Sequence, residues 1–561
     1  MRNHLSRIVV ALGLLTAACA GVPTSSAIHV GRAVPARGGL DDLDVRVFPP
    51  AWHSGLPPVE VASGFLHSLV NNDDDYAIAR SYLTTTAAAK WRPDVSVTTY
   101  DDTSLQLSGS AVHVVVTAPR LGRIDAHGDY ESSPGTLRET FTMARVGGSW
   151  KIDKLPDGTM LSGSDAERAF RLADVFYLNQ KGTTLVPDQV LLRLTQRGVA
   201  TTLVTTLLAG PSHWLAPAVH TALPPGVGLI GNVPVHTDGT AEVNFTASIR
   251  SASPQLLAAL SAQLVWTLRQ ISGVTGVRLL ADGAPLSVGG EPATQPVSAW
   301  PTFDPSAAPS VGGLLYVRGG HLGATGADAA AILKDSPDHL VAVGRSRDGD
   351  TIAAVQQTGA GQRLLVSQAH HRFTARLSAN AMTAPTFDVD GNIITVVADA
   401  HGRHLVSVGS DGRVHRLAAD STLLSPALTS LRISREGARV AAVVGGQLLV
   451  GRVSGRGGGL AFGDLRAIAP SLQGVRGVSW VNSDTVVVTC SGGPGAQRRV
   501  VETDTDGYGL QPISLVVRGQ PVDVAAAPQQ PLAIATDDDA LWQDIGGWHR
   551  FADGSGLVYS G

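Results

Sequence analysis

The chain has 561 residues, too many for one hydrophobic core, and its 43% hydrophobic and 16% charged residues exclude a disordered protein. Its formal net charge of −4 gives no electrostatic reason to bind nucleic acid or to hold anionic lipid through basic residues. With only two cysteines, Cys19 and Cys490, a metal cluster held by thiolates is not expected.

The first 18 residues have the pattern of an export signal. Two arginines precede a mainly apolar run at 8–18, which is too short to span a bilayer but is typical of a signal-peptide core. The run ends in Thr16-Ala17-Ala18-Cys19, which resembles a lipobox. We therefore predict a signal peptide over 1–18 and lipidation of Cys19, which would hold the chain at the outer face of the cytoplasmic membrane. A secretory signal cut near Ala20 is the alternative.

Residues 19–56 are predicted to form a lipidated tether, because Gly, Pro, Ser and Ala are abundant there. If Cys19 carries lipid, Cys490 has no cysteine partner within the chain. Cys490 follows three consecutive valines, so we expect a buried thiol that behaves as a small hydrophobic group.

Residues 57–165 are predicted to form an α+β domain. Apolar residues such as Val61 and Phe65 recur first at helical spacing. Strand-like segments follow at 112–116, 136–144 and 150–152. Helices followed by antiparallel strands suggest a small cone of the NTF2-like kind. The triplet Asp73-Asp74-Asp75 is predicted to start a helix rather than to bind metal.

Residues 166–295 are predicted to form a second α+β domain. One helix at 199–208 ends at Gly210-Pro211, and another opens with Ser253 as its cap and Pro254 at its first position. Strand-like segments at 228–235, 240–245 and 274–280 are joined by turns. Trp214 and Trp266 are expected to lie in the core.

Residues 300–561 are predicted to form an all-β propeller of five or six blades. Strand–turn–strand units recur with their turns at positions 348, 390, 436, 482 and 528. A period of 42 to 46 residues with about four strands per unit is typical of propeller blades. Residues 314–317 are expected to supply the strand that closes the ring with the last blade.

The chain resembles the LpqB lipoproteins of actinobacteria over its whole length. The resemblance rests on Leu207-Leu208-Ala209-Gly210-Pro211-Ser212 with Trp214-Leu215, on Thr221-Ala222-Leu223-Pro224, and on the segment 262–268. The first two segments are similar to the signature of the GerMN domain and the third to its second helix. The family implies a lipobox, an N-terminal domain, a GerMN domain and a β-propeller.

The same resemblance implies a non-enzymatic accessory protein. Its partner would be the sensor histidine kinase of the Mtr two-component system, on whose extracytoplasmic part it would act, with effects on the cell envelope and division. The family offers no catalytic residue to carry over, and no cofactor is expected. The lipid anchor would be its membrane contact.

Three local patterns resemble ligand sites, and for each we expect a structural explanation. The segment 226–231 matches GxGxxG, but no strand precedes it and no helix is expected after it. The segment 502–507 resembles the opening of a calcium loop, yet Ile513 stands at the closing position, so we expect a turn between blade strands. Four histidines of the propeller are expected to be exposed in loops: His370, His371, His401 and His404.

Two other functions stay open from the sequence. A carbohydrate or peptidoglycan-fragment binder would show exposed aromatic side chains along a groove. A propeller enzyme would need several acidic, histidine or arginine side chains that converge on the central channel.

Overall fold

The computed structural model describes residues 49–193, 198–307, 313–369, 372–491 and 496–559, apart from the side chains of Asp73 and Asp74. Cys19, the predicted signal peptide and most of the predicted tether lie outside these residues, as do His370 and His371. The described residues belong to one compact unit. Among their helices, none has the length and apolar character needed to cross a membrane.

The N-terminal domain packs three helices against a six-stranded sheet. Its elements are α1 (Pro58–Ser68), α2 (Asp73–Ser81), α3 (Thr85–Lys90), β1 (Ser96–Tyr100), β2 (Gln106–Gly109), β3 (His113–Asp125), β4 (Tyr130–Val146), β5 (Ser149–Lys154) and β6 (Thr159–Ser162). The strand order is β5-β4-β3-β1-β6, with β2 paired to β3. Phe65 of α1 contacts Trp91 and Phe141 edge to face at 5.5 and 5.6 Å, so the apolar side of the helix fills the core. The predicted order of helices before antiparallel strands is confirmed.

The middle domain combines two small sheets with two longer helices. Its elements are α4 (Gly163–Ala169), β7 (Phe170–Asn179), β8 (Leu185–Arg193), α5 (Val199–Ala209), β9 (Val219–His220), β10 (Thr240–Phe245), α6 (Pro254–Leu268), β11 (Gly276–Ala281), β12 (Ala284–Pro285) and β13 (Thr294–Pro296). One sheet has the order β8-β7-β9 and the other β10-β11-β12, with β13 on β11. As predicted, the Ser253 hydroxyl caps α6 by accepting from the Leu256 N–H at 3.2 Å.

Two details of the middle domain differ from the prediction. The predicted strand at 228–235 is a loop that makes only isolated bridges to β10, at Leu229 and Val235. The β7–β8 hairpin was not predicted. Residues 185–192 of β8 are buried without alternation, and such a run carries no period of two that would identify a strand.

The propeller has six blades among the described residues. Blade 1 contains β14 (Leu315–Arg318), β15 (His321–Ala324) and the last strand, β38 (Ser555–Val558), and is followed by α7 (Ala329–Leu333). Blade 2 contains β16 (Leu340–Arg345), β17 (Thr351–Thr358), β18 (Gly361–Gln368) and β19 (Thr374–Ala379). Blade 3 contains β20 (Ala381–Met382), β21 (Thr386–Phe387), β22 (Ile393–Asp399), β23 (Gly402–Val408) and β24 (Val414–Arg416).

The remaining blades follow in chain order. Blade 4 contains β25 (Ala418–Ala419), β26 (Leu428–Ile433), β27 (Arg439–Val444), β28 (Gln447–Ser454) and β29 (Ala461–Ala467). Blade 5 contains β30 (Val478–Trp480), β31 (Thr485–Ser491), β32 (Arg498–Asp504) and β33 (Gln511–Ile513). Blade 6 contains β34 (Pro521–Ala525), β35 (Ala533–Thr536), β36 (Ala540–Asp544) and β37 (Trp548–Asp553).

Ring closure pairs the first and the last strands of the propeller sequence. Leu315 of β14 lies opposite Val558 of β38 in an antiparallel ladder. The predicted closing strand is therefore confirmed as the partner of the last strand, although the pair builds a blade of its own beside blade 6. All five predicted turns lie between antiparallel strands, and Gly349, Gly391 and Gly437 adopt positive φ there, as such turns require.

The middle domain lies on one end of the propeller, which we call the docked end. This end carries the turns between the first two long strands of each blade. The Asn179 amide donates to the Glu436 carbonyl at 3.3 Å, Lys181 pairs with Asp390, and Arg456 donates to the Gln180 carbonyl. Because successive strands of a blade are antiparallel, the alternate loops lie at the opposite end, which we call the free end.

Candidate functional site

A cavity of about 290 Å³ lies where the three domains meet. The N-terminal domain contributes the start of β4, the middle domain contributes β8 and the loop after α5, and the propeller contributes blade 4 and the loop after β32. Its lining residues are Asp129, Tyr130, Glu131, Ser132, Asp188, Gln189, Trp214, Arg439, Val450, Leu465, Arg466, Ala467, Ile468, Thr505 and Asp506.

Asp188 holds the loop after α5 in place. Its side chain accepts from the Ser212 N–H at 2.6 Å and from the Ser212 hydroxyl at 3.0 Å. The same hydroxyl oxygen accepts from the Leu215 N–H at 3.3 Å. These bonds explain the segment 207–215 physically, because Gly210 ends the helix and Ser212 ties the following turn to β8. Burial raises the pKa of the Asp188 carboxyl, while the bonds from Ser212 and the charge of Arg439 oppose the rise.

Arg439 forms a buried ion pair within blade 4 and a hydrogen bond that joins the propeller to the middle domain. Its Nη1 lies 3.2 Å from Oε1 of Glu436, and the two side chains are 2% and 0% exposed. The guanidinium also donates to the carbonyl oxygens of Ser483 and Pro187, the latter in β8. The Nε of Arg439 and the Oε2 of Glu436 are buried and find no hydrogen-bond partner among the described residues. Burial raises the pKa of Glu436, and Arg439 opposes that rise.

Asp129 faces the same cavity from the N-terminal domain. Its carboxylate lies 3.7 Å from the Arg466 guanidinium of blade 4. The pKa of Asp129 is raised to about 7, because burial and the nearby Asp188 carboxylate disfavour its charge more than Arg466 favours it. Arg466 in turn lies over the Trp214 ring at 5.1 Å, and the Trp214 indole N–H donates to the Asp464 carbonyl at 2.9 Å.

The segment that resembles a calcium loop docks the other two domains. Gln189 donates to Asp504 Oδ1 at 3.3 Å and accepts from the Thr505 hydroxyl at 3.0 Å. Gly507 has a φ of +83°, and a Cβ at this position would clash with the Ile468 carbonyl. Tyr508 contacts Tyr130 edge to face at 5.3 Å. The expected turn between blade strands is present, and within the described ranges no three metal-ligating side chains converge.

A second, smaller cavity of about 40 Å³ lies in the central channel of the propeller. Three arginines line it: Arg345, Arg432 and Arg435. Arg345 is paired with Asp328, and Arg432 interacts with the half-buried Asp523. Of the described residues along this cavity, none is Asp, Glu or His. The cavity therefore presents guanidinium groups beside apolar walls.

The aromatic side chains do not form an exposed groove. All nine tryptophans and all eight tyrosines lie in the described ranges, and each is buried or half-buried. Trp214 and Trp266, predicted to lie in the core, are 8% and 3% exposed. The feature that would favour a carbohydrate binder is thus absent from these residues.

The other singled-out residues are separate from the cavity. Cys19 lies outside the described residues, so its lipidation stays a prediction. Cys490 is 0% exposed in β31, and burial raises the pKa of its thiol, in agreement with the expectation. His401 is exposed at a turn, as expected. The expectation of an exposed loop is wrong for His404, which lies on β23 with its side chain 13% exposed and 3.3 Å from Asp399.

Sequence reasoning missed the charged residues of the cavity. Asp188 offered one signal, since it stands inside the apolar run of β8, where an isolated charge needs a tertiary partner. Asp129, Arg439 and Arg466 offered none, because charged residues at strand ends and turns are usually solvated.

Comparisons with known proteins agree with this domain order. Residues 52–167 match the model described as "Lipoprotein LpqB, N-terminal domain", residues 174–287 the model Germane, "Sporulation and spore germination", and residues 312–557 the "Lipoprotein LpqB beta-propeller domain". The "Lipoprotein LpqB" of Thermobifida fusca is 28% identical over 98% of this chain and 97% of its own length. That of Cutibacterium acnes is 31% identical over 53% of this chain and 50% of its own.

Among solved structures, TolB from Acinetobacter baumannii is similar to 72% of this chain over 90% of its own length. The sequence identity is 11% and the TM-score is 0.35, too low to support any inference.

Proposed function

This chain belongs to the LpqB family of lipoproteins, and from that membership we propose that it modulates the extracytoplasmic part of the sensor histidine kinase of the Mtr two-component system. In this proposal the protein is not an enzyme. It is anchored through Cys19 at the outer face of the cytoplasmic membrane and acts on the cell envelope and division through the kinase. A tethered protein is confined to a thin layer beside the membrane, which raises its effective concentration next to a membrane receptor.

The observation that supports a binding role is that polar and charged side chains link the three domains at their junction. Arg439 joins the propeller to β8, Arg466 faces Asp129, and Gln189 bonds to the loop after β32. Such cross-links favour a rigid body, whose surfaces are positioned before a partner arrives. A rigid binder shifts a kinase by the difference between its affinities for the active and inactive states.

We assign the contact to the free end of the propeller, because the middle domain covers the docked end. The connection from β33 to β34 lies at the free end and carries Val516, whose side chain is 80% exposed. An apolar group this exposed is available to a partner without rearrangement.

The experiment measures binding between a lipid-free fragment beginning near Val45 and the extracytoplasmic domain of the cognate kinase. Saturable binding that Val516→Glu weakens would support the proposal. The matched control is Val146→Glu, at a 49% exposed valine of the N-terminal domain, which should leave binding unchanged. If no binding occurs up to about millimolar concentrations, equivalent to about −4 kcal/mol, direct recognition is refuted.

Anchoring is tested separately by cell fractionation. We expect the wild-type chain in the membrane fraction and Cys19→Ala outside it, because one thiol would carry the lipid. If both chains are released equally, cleavage near Ala20 replaces lipidation as the explanation of the leader.

A further inference from the structure

The N-terminal domain has an end that lies opposite to its contact with the propeller, which we call the distal end. Strand β4 connects the two. Asp129, directly before β4, faces Arg466 of the propeller, and Val146 ends the 17-residue strand. At about 3.3 Å per residue, the strand is about 50 Å long. The distal end comprises three segments of the chain: 50–57, 109–113 and 145–151.

These three segments lie side by side. The Met143 N–H donates to the Val112 carbonyl at 2.7 Å, which places the β2–β3 turn beside the end of β4. The Trp52 indole N–H donates to the Trp150 carbonyl at 3.0 Å, which ties the entering chain to the start of β5. The distal end is therefore one continuous surface rather than three separate loops.

The distal end exposes apolar and aromatic side chains. Val112 and Val146 are 48% and 49% exposed. Trp52 and Trp150 are half-buried, so part of each ring also reaches the surface. Exposed apolar groups that lie close together mark interaction sites. Indole rings favour the boundary between water and lipid, because one part of the ring system is apolar and the N–H is polar.

The charge of the distal end differs from that of the whole chain. Its three segments contain Arg145 and Lys151 but neither Asp nor Glu, although the chain has 47 acidic residues. Both cations lie over tryptophan rings, at 4.9 and 4.3 Å from the ring centroids. Glu60 and Asp153 follow two of the segments in sequence, and Asp153 accepts from the Thr84 hydroxyl at 3.0 Å. The distal end therefore complements an anionic surface.

The entering chain also connects the distal end to the predicted anchor. Cys19 and Pro49, the first described residue, are 30 positions apart (49 − 19). A chain of this length spans at most about 100 Å. With lipid on Cys19, the distal end would be the part of the folded body that the chain reaches first from the membrane, at Trp52.

We propose that the distal end docks on the surface of the lipid bilayer, with Val112 and Val146 among the headgroups and Arg145 and Lys151 beside anionic lipid. This inference depends on the proposed anchoring, which supplies the high local concentration of lipid that a weak contact needs. Strand β4 would then hold the propeller away from the bilayer by about 50 Å.

The test measures co-sedimentation of the lipid-free fragment beginning near Val45 with vesicles. One set contains phosphatidylcholine alone and the other an equal mixture with phosphatidylglycerol. We expect half-maximal binding to the mixed vesicles at or below about millimolar lipid, and binding to phosphatidylcholine at least about 5-fold weaker, because basic side chains gain from anionic lipid. Brominated lipid in the mixed vesicles should quench the tryptophan emission. No binding at about 10 mM lipid, or binding without quenching, would overturn the proposal.

Val146→Glu tests the surface itself, since it replaces an exposed apolar group with a charge that anionic lipid repels. We expect binding to the mixed vesicles at least about 5-fold weaker, and the same loss for Val112→Glu. The matched control is Val414→Glu, at a 43% exposed valine of blade 3, which should bind vesicles as the wild type does. Equal binding of the distal-end variants and the control would overturn the proposal.

These outcomes are separable from those of the other proposals. The fragment lacks Cys19, so its binding to vesicles does not depend on lipidation. The kinase assay contains no membrane, so Val146→Glu should lose the vesicles and still bind the kinase domain. If the fragment instead self-associates without vesicles and Val146→Glu prevents this, a second copy of the chain occupies the distal end and docking on lipid is overturned.

Discussion

Asp129→Asn should stabilise the protein at pH 8 and leave its stability nearly unchanged at pH 4. The pKa of Asp129 is raised from 3.8 to about 7 in the folded protein. Between these values the folded state binds a proton that the unfolded state has lost. The free energy of unfolding therefore falls as the pH rises from about 4 through 7. Asparagine is neutral at every pH and does not contribute this loss.

The magnitude follows from the two pKa values. They lie about 3 pH units apart, and each unit is worth 1.36 kcal/mol, which gives an upper value of about 4 kcal/mol. The Asp129 side chain is 19% exposed, so solvent screening lowers the effect, and we expect a gain of about 1 to 4 kcal/mol at pH 8.

The assay compares chemical unfolding of the wild type and the variant from about pH 4 to pH 8. Unfolding is monitored through the hydrogen exchange of the β3 and β4 amides. Exchange reports on the N-terminal domain alone, which matters because a chain of several domains need not unfold in one step. The matched control is Asp102→Asn, at an exposed carboxylate of the same domain. If the difference between wild type and Asp129→Asn is the same at both ends of the pH range, the burial argument for Asp129 is refuted.

Three further predictions concern buried groups. Arg439→Met should lower the free energy of unfolding by about 3 to 5 kcal/mol, because it leaves Glu436 buried without its cation. Adding Glu436→Leu should restore most of that loss. If urea unfolding shows instead that the losses of the two substitutions add, this prediction is contradicted. Cys490 should react with a thiol reagent only as fast as the propeller opens, since its side chain is 0% exposed. Rapid labelling of the native fragment would show that Cys490 in β31 is not buried. Trp214→Phe removes the indole N–H that donates to the Asp464 carbonyl. We expect the free energy of unfolding to fall by about 1 kcal/mol and the loop after α5 to be cleaved faster by a protease. Unchanged proteolysis would show that this hydrogen bond does not anchor the loop.

The sequence predicts this fold well where the pattern is local. Each of the five turns recurs within one blade, so its spacing is visible without any tertiary information. Blade 1 has no such signal, because its strands β14 and β38 are the first and the last strands of the propeller sequence. The same limit hides the strand β8, whose burial on both faces removes the alternation by which a strand is identified.

The cavity could not be predicted, for a related reason. Asp129 and Arg439 are 310 residues apart in the chain (439 − 129) and come together only when three domains pack. Nothing in the local pattern distinguishes Asp129 from a solvated turn residue. The segment 502–507 was correctly predicted to be a turn, but its docking role depends on Gln189 of another domain.

The pairing of Leu315 with Val558 has a consequence for the order of folding. The two residues are 243 positions apart (558 − 315), so blade 1 cannot form until nearly the whole propeller has been synthesised. Until then, β14 and β15 have an unpaired edge, which other chains could pair with. Ring closure is thus a late step, because contacts that are distant in sequence form only after a long loop has closed.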